Sequence, residues 1–142
     1  MAEPGRVLGL DHGDSRIGIA ISDPNRRVAV PLGTVRTGAP HDLQAIAELV
    51  REKGVSLVVV GHPLGLDGRA GAKAGQVEAF AEALRAVLTV PVELQDERLS
   101  TVEATRELRA TGVRGRELKG VVDQGAATVI LGSWLDAQRG SS

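Results

Sequence analysis

The chain predicts an α/β fold, a mixed β-sheet of five strands covered by helices on both faces. Three observations carry this expectation. The first 35 residues hold three apolar strand patterns joined by short turns. Helical and strand patterns then alternate, as right-handed β-α-β crossovers require. The fourth strand pattern, Val55-Ser56-Leu57-Val58-Val59-Val60, is too apolar for either of its faces to meet water.

The first strand is expected over 6–11 and ends in Asp11. Residues 16–23 form the second, and the intervening turn is so short and so rich in Gly, Asp and Ser that the pair reads as an antiparallel hairpin. Asp23-Pro24-Asn25 supplies another turn. Residues 28–35 form the third strand, which Pro31 assigns to an edge or a bulge. From Pro40 the period lengthens: Leu43, Ile46, Ala47 and Val50 lie on one helical face, and Gly54 closes that helix. After the strand at 55–60 comes a Gly-rich loop over 62–71. A helix follows over 72–88, with Val77, Phe80, Ala81, Leu84 and Leu88 along one side. A fifth strand at 90–94 and helices near 102–110 and 118–138 complete the pattern. The expectation is one domain spanning 1–142, with flexible ends at 1–5 and 139–142.

Composition narrows the function. With 42% hydrophobic and 25% charged residues, a chain of 142 residues builds a core and is not disordered. Without Cys it has no disulfide framework, no thiol nucleophile and no zinc–thiolate site, which fits a reducing compartment. The start lacks a signal-peptide core, and no apolar run reaches the roughly 18 residues of a membrane span. The expected setting is therefore cytoplasmic, with no membrane partner. A net charge of −1 exerts no global pull on nucleic acid, so any basic footprint is local. The segment 106–119, with Arg106, Arg109, Arg114, Arg116 and Lys119, is the candidate, although a solvated helix face explains it as well. Phe80 and Trp134 are the only aromatics, which argues against base stacking and for recognition through backbone and shape.

Three carboxylates stand out. Asp11 ends a buried strand in Asp11-His12-Gly13, where Gly13 lets the chain turn and leaves room for a phosphate or metal; a turn-forming Asp fits that tripeptide too. Glu97 lies in Asp96-Glu97-Arg98 at a strand–loop–helix junction, the place where such sheets put ligands; a solvent-exposed charged loop fits the string too. Ser100 with Glu103 has capping-box spacing, so Glu103 reads as a structural cap and Glu97 is left over. Asp123 is the most diagnostic: Ala126, Ala127, Ile130 and Trp134 follow it on the same helical face. A carboxylate there is costly unless a cation or donors compensate it, while an Asp favoured near a helix N-terminus by the macrodipole is the bland alternative. Gly125 beside it is a poor helix former, expected to permit close packing. The loop after the fourth strand lacks the Lys-Ser/Thr ending of a P-loop, and both a phosphate cradle of backbone N–H groups at the next helix N-terminus and a plain loop stay open. His12 and His62 read as structural histidines and His41 as a helix-start residue.

These pieces resemble the YqgF family of Holliday-junction-resolvase-like proteins and pre-16S ribosomal RNA nucleases. The resemblance covers nearly the whole chain, through Asp11-x-Gly13-x-x-Arg16-Ile17-Gly18, Gly61-x-Pro63 with Asp67-Gly68, Asp96-Glu97-Arg98-Leu99-Ser100-Thr101, and Val122-Asp123-Gln124 with Ala126-Ala127. It implies a ribonuclease-H-like fold, in which three antiparallel strands are extended by two parallel ones. It also implies an active site of Asp11, Glu97 and Asp123 holding Mg²⁺ or Mn²⁺, two ions roughly 3.5–4 Å apart, for hydrolysis of a phosphodiester. Asp11 then bridges the ions, while Glu97 and Asp123 each hold one. Arg16 and Arg98 are placed by adjacency to contact phosphate, joined by Arg109, Arg114 and Arg116.

The implied partner is nucleic acid, either precursor ribosomal RNA cut to its mature 5′ end or branched DNA, with monomer and homodimer both open. Two rivals remain at this stage. One is the two-domain ATPases that share the fold core, which need a second domain that 142 residues do not accommodate. The other is a non-catalytic nucleic-acid-binding regulatory module.

Overall fold

The computed structural model describes residues 5–63, 71–97 and 116–140, with backbone alone for 116–124, 139 and 140. Its elements are β1 Arg6–His12, β2 Arg16–Ser22, β3 Ala29–Arg36, α1 His41–Lys53, β4 Val55–His62, α2 Ala72–Val87, β5 Val92–Asp96 and α3 Arg116–Gly140. The strands form one sheet in the order β3-β2-β1-β4-β5. β1, β2 and β3 pair antiparallel, while β4 and β5 add in parallel beside β1. This is the ribonuclease-H-like arrangement that the motifs imply.

Local chemistry explains the joints. The β1–β2 turn closes with Gly13 N–H donating to the Arg16 carbonyl at 2.8 Å. A Cβ on Gly13 would stand 2.6 Å from that same oxygen, so closing the hairpin is what requires glycine there. Pro31 lies on the edge strand, and the ladder steps from Ile19↔Gly33 to Ala20↔Pro31, leaving Leu32 in a bulge. Gly54 ends α1 in the left-handed region at φ 65°, its N–H on the Val50 carbonyl. β5 begins at Val92, later than expected, because Pro91 has no N–H to offer; its carbonyl still accepts from Val58 at 3.0 Å. β4 runs on to His62, which takes that histidine out of the expected loop. α3 overruns its expected bounds by two residues at each end. The expected helix near 102–110, the Ser100–Glu103 cap and residues 64–70 of the Gly-rich loop lie outside the described residues, as do 1–4 and 141–142.

Alternation along the interior strands divides the core into two layers. Leu8, Leu10, Val58 and Val60 pack with Ile46 and Val50 of α1 and with Val77, Phe80 and Leu84 of α2. Val7, Leu57 and Val59 pack with Ala126, Ala127, Ile130, Leu131 and Trp134 of α3 on the other face. α3 sits close because Gly9 has no side chain: a Cβ there would come within 2.7 Å of Leu131 Cβ and 3.2 Å of the Ala127 carbonyl. Among the described residues no helix is long and apolar enough to cross a membrane.

Candidate active site

Asp11 belongs to β1, opposite Gly18 of β2, and is only 2% exposed. It shares the α3 face with Val7 and Gly9, since side chains two apart point the same way. Glu97 follows the last residue of β5 and is 4% exposed. Its carboxylate lies over Gly61 of β4, on the side of the sheet where Ile130 of α3 packs, since a Cβ on Gly61 would meet Glu97 Oε2 at 2.8 Å and Ile130 Cδ1 at 2.5 Å. The β1–β4 ladder pairs Leu10 with Val60, so Asp11 and Gly61 follow one step further along adjacent strands. At the carboxyl end of the sheet, on the α3 face, stand Asp11, then a position without a side chain, then the Glu97 carboxylate. β1 and β5 are two strand spacings apart, about 10 Å, and Glu97 reaches into that interval over Gly61.

Neighbouring elements fix this row. Gln95, two residues before Glu97, donates to Ser133 Oγ at 3.3 Å, and Trp134 Nε1 donates to Glu93 at 3.2 Å, so β5 is tied to α3 twice. Thr37 Oγ1 donates to the Gly13 carbonyl at 2.8 Å, and Thr37 N–H to Ser15 at 3.1 Å, which holds the hairpin beyond Asp11. Asp123 lies in the α3 backbone three, four and seven residues ahead of Ala126, Ala127 and Ile130. Those residues pack on the strands that end at Asp11 and Glu97.

Arg16 is half-buried and opens β2; alternation puts it on the α3 face with Gly18 and Ala20. Directly opposite it on β3 is Arg36, which the sequence reading passed over. Like charges in register across an antiparallel pair are unfavourable unless something else employs them. Arg98, Arg109 and Arg114 lie outside the described residues, and Arg116 is described in its backbone alone.

The opposite face at the same end carries imidazoles. His62 Nε2 is 2.7 Å from Glu78 of α2. The His12 ring packs on Phe80 with 4.6 Å between centroids. Burial, helped by the Lys73 ammonium, holds His12 below the usual imidazole range against the opposing pull of Asp42 and Asp14. His41 opens α1. A cavity of about 490 Å³ between β3 and α1, lined by Ile19, Leu32, Leu49 and Glu52, lies on that imidazole side of the sheet, away from the carboxylates.

The donor set at Asp11 and Glu97 is hard oxygen, which suits Mg²⁺ or Mn²⁺ and not a soft metal. Two buried carboxylates of like charge along one row gain from a shared cation. Among the described residues no group of three or more ligating side chains stands together, so the described part of the site is this pair.

Two signals in the sequence were open to use and missed: Gly9 and Gly61 interrupt otherwise apolar strands, a mark of close approach. Gly125 is the reverse case. Among the described residues a Cβ there would meet nothing within 4 Å.

The fold and site define a ribonuclease-H-like chain with acidic groups gathered at the carboxyl end of its sheet. Residues 5–137 match the family model described as RuvX, Holliday junction resolvase, and the chain belongs to that family, the one named above as YqgF. It is 52% identical over 134 residues to a protein of an Anaeromyxobacter species, covering 94% of this chain and 98% of that one. It is 48% identical over 134 residues to a protein of Chloroflexus aggregans, covering 94% of each. It is 51% identical over 143 residues to one of Mycobacterium leprae, covering 99% and 77%. All three carry the name "Putative pre-16S rRNA nuclease". Among solved structures, Thermus thermophilus RuvC in complex with a Holliday junction substrate superposes with TM-score 0.59 at 15% identity, covering 96% of this chain and 97% of that one. The yeast mitochondrial Holliday junction resolvase gives 0.50 at 13%, covering 98% and 81%. These two establish the fold.

Proposed function

We propose that this protein is a divalent-metal-dependent nuclease that hydrolyses a phosphodiester of precursor 16S ribosomal RNA in maturing its 5′ end, a cytoplasmic task. The observation that carries the reading is the pair of buried carboxylates on one face of the sheet, Asp11 on β1 and Glu97 reaching over Gly61 of the adjacent β4. The names of relatives about half identical over nearly the whole chain support the substrate.

In this reading Asp11, Glu97 and Asp123 are the residues that would hold Mg²⁺ or Mn²⁺, two ions by the family's precedent. Bound there, the ions supply an activated water and stabilise the leaving oxygen. The chain's own part is to fix three acceptors on a rigid strand, a strand end and a helix. Arg16 and Arg36 meet the phosphates beside the scissile one, and Arg98, Arg109, Arg114 and Arg116 extend that contact. Registration of Arg16 against Arg36 then serves the substrate, since two guanidiniums in register suit successive phosphates.

The test offers precursor 16S RNA, unrelated single-stranded RNA and a four-way DNA junction to the purified protein, with Mg²⁺, Mn²⁺ or EDTA. The reading expects metal-dependent cutting of the precursor that disappears in Asp11→Asn and Asp123→Asn. Preferential cutting of the junction would give the substrate to the second reading, which the family's description favours. Binding without cutting of any substrate would make the chain a regulatory module.

A further inference from the structure

We infer that Gly61 is a positioning residue for the metal site: its missing side chain is the notch through which Glu97 reaches toward Asp11. The inference rests on the reading above, in which Glu97 is a ligand. Asp11 stands on β1 and Glu97 past the end of β5, with β4 between them. Any side chain on β4 at that level would rise between the two carboxylates. Gly61 leaves the place empty, and Glu97 Oε2 occupies it, 2.8 Å from where a Cβ would be.

Gly61 differs from Gly9 in what a methyl group would strike. At Gly9 the obstacles are Leu131 Cβ, at the root of its side chain, and the Ala127 backbone carbonyl. Neither yields without moving α3. At Gly61 the nearest atoms are Ile130 Cδ1, at 2.5 Å, and Glu97 Oε2, both the far ends of flexible side chains. Both yield more cheaply than a backbone does, and one of the two carries the carboxylate. A methyl group at 9 therefore costs stability, whereas one at 61 displaces a ligand. A purely packing role for Gly61 predicts that the two substitutions behave alike.

The experiment measures Mn²⁺ binding by calorimetry, and melting in EDTA, for wild type, Gly9→Ala, Gly61→Ala, Gly61→Ala/Ile130→Val and Glu97→Gln. The double variant removes Ile130 Cδ1, the nearest obstacle, and leaves the Glu97 carboxylate at 2.8 Å as the main one, beside a γ-carbon at 3.2 Å that needs to yield only a few tenths of an ångström. Expected are a lowered melting temperature with near wild-type Mn²⁺ affinity per folded molecule for Gly9→Ala, and melting near wild type for the double variant. Its Mn²⁺ affinity is expected to fall about 10–100-fold, the usual size of a ligand-orienting effect. Wild-type Mn²⁺ affinity in the double variant, with Glu97→Gln impaired, would overturn the role of Gly61 and leave the site standing. Binding indifferent to Glu97→Gln would overturn both.

Discussion

The two ends of the sheet handle buried polarity in opposite ways. At the amino end it is internally balanced. Ser22 Oγ accepts from Val7 N–H at 2.9 Å and donates to the Asp23 carbonyl. Arg26 donates to the Gly5 carbonyl at 3.0 Å and to Ser56 Oγ at 2.9 Å, and its guanidinium lies 5.9 Å from the Trp134 ring centroid. Each of these groups serves the fold, and Arg26 holds a left-handed φ of 58° to do so. At the carboxyl end the α3 face buries Asp11 and Glu97, which bear the same charge. On the proposed reading this pair is buried there to hold a cationic ligand. The difference separates polarity that stabilises from polarity that acts.

Substitutions at the two ends should accordingly fail in different assays. The largest effect is expected from Asp11→Asn or Glu97→Gln: cleavage falls by at least about 10²-fold, the scale of losing one preorganised electrostatic contact. Melting in EDTA should change far less than cleavage. A large drop in stability with retained activity would invert the comparison. Arg26→Ala is the opposite case. It loses two hydrogen bonds from a charged donor and should cost about 1.5–3 kcal/mol in a urea titration, with cleavage per folded molecule unchanged.

Arg16→Gln and Arg36→Gln sharpen the carboxyl end. Each should weaken substrate binding and flatten the slope of log affinity against log salt by about 0.7–0.9. Unchanged slopes would remove both arginines from the interface.

The smallest effect concerns Asp23, whose carboxylate accepts from Val28 and Arg27 N–H at 2.9 and 2.7 Å. The Val28 bond above all, with those of Arg27 and further backbone donors, holds its carboxyl below the usual carboxylate range despite the opposing effect of burial. A carboxyl with a depressed folded pKa contributes stability that is complete above its unfolded value and is lost as pH falls through the folded one. Asp23→Asn, which keeps an acceptor and cannot titrate, should therefore show a shallower fall in melting temperature between pH 4 and pH 2. An identical acid profile would refute that assignment.

Most of the sheet was legible because the alternation of apolar residues and the turn chemistry act locally. Gly13, Pro31 and Gly54 each announced its joint. β5 was placed two residues early because an apolar pattern does not reveal that Pro91 cannot enter a ladder with its nitrogen. At the site, Asp11 and Glu97 were legible as residues and their burial was not, since burial depends on α3 lying across them from distant sequence. Arg36 was invisible for the same reason: only the register of β2 against β3 brings it opposite Arg16. Gly61 was read as part of a motif, while its consequence, an opening between two carboxylates, exists only once three strands are side by side.

The central claim is that the carboxyl end of the sheet is built to hold a cation between Asp11 and Glu97. An anomalous-difference map of crystals soaked in Mn²⁺ tests it most directly. The account predicts a manganese peak in inner-sphere contact with both carboxylates, absent from crystals of Asp11→Asn. Manganese bound elsewhere, with this pair bare in crystals of protein that still cleaves, would contradict it.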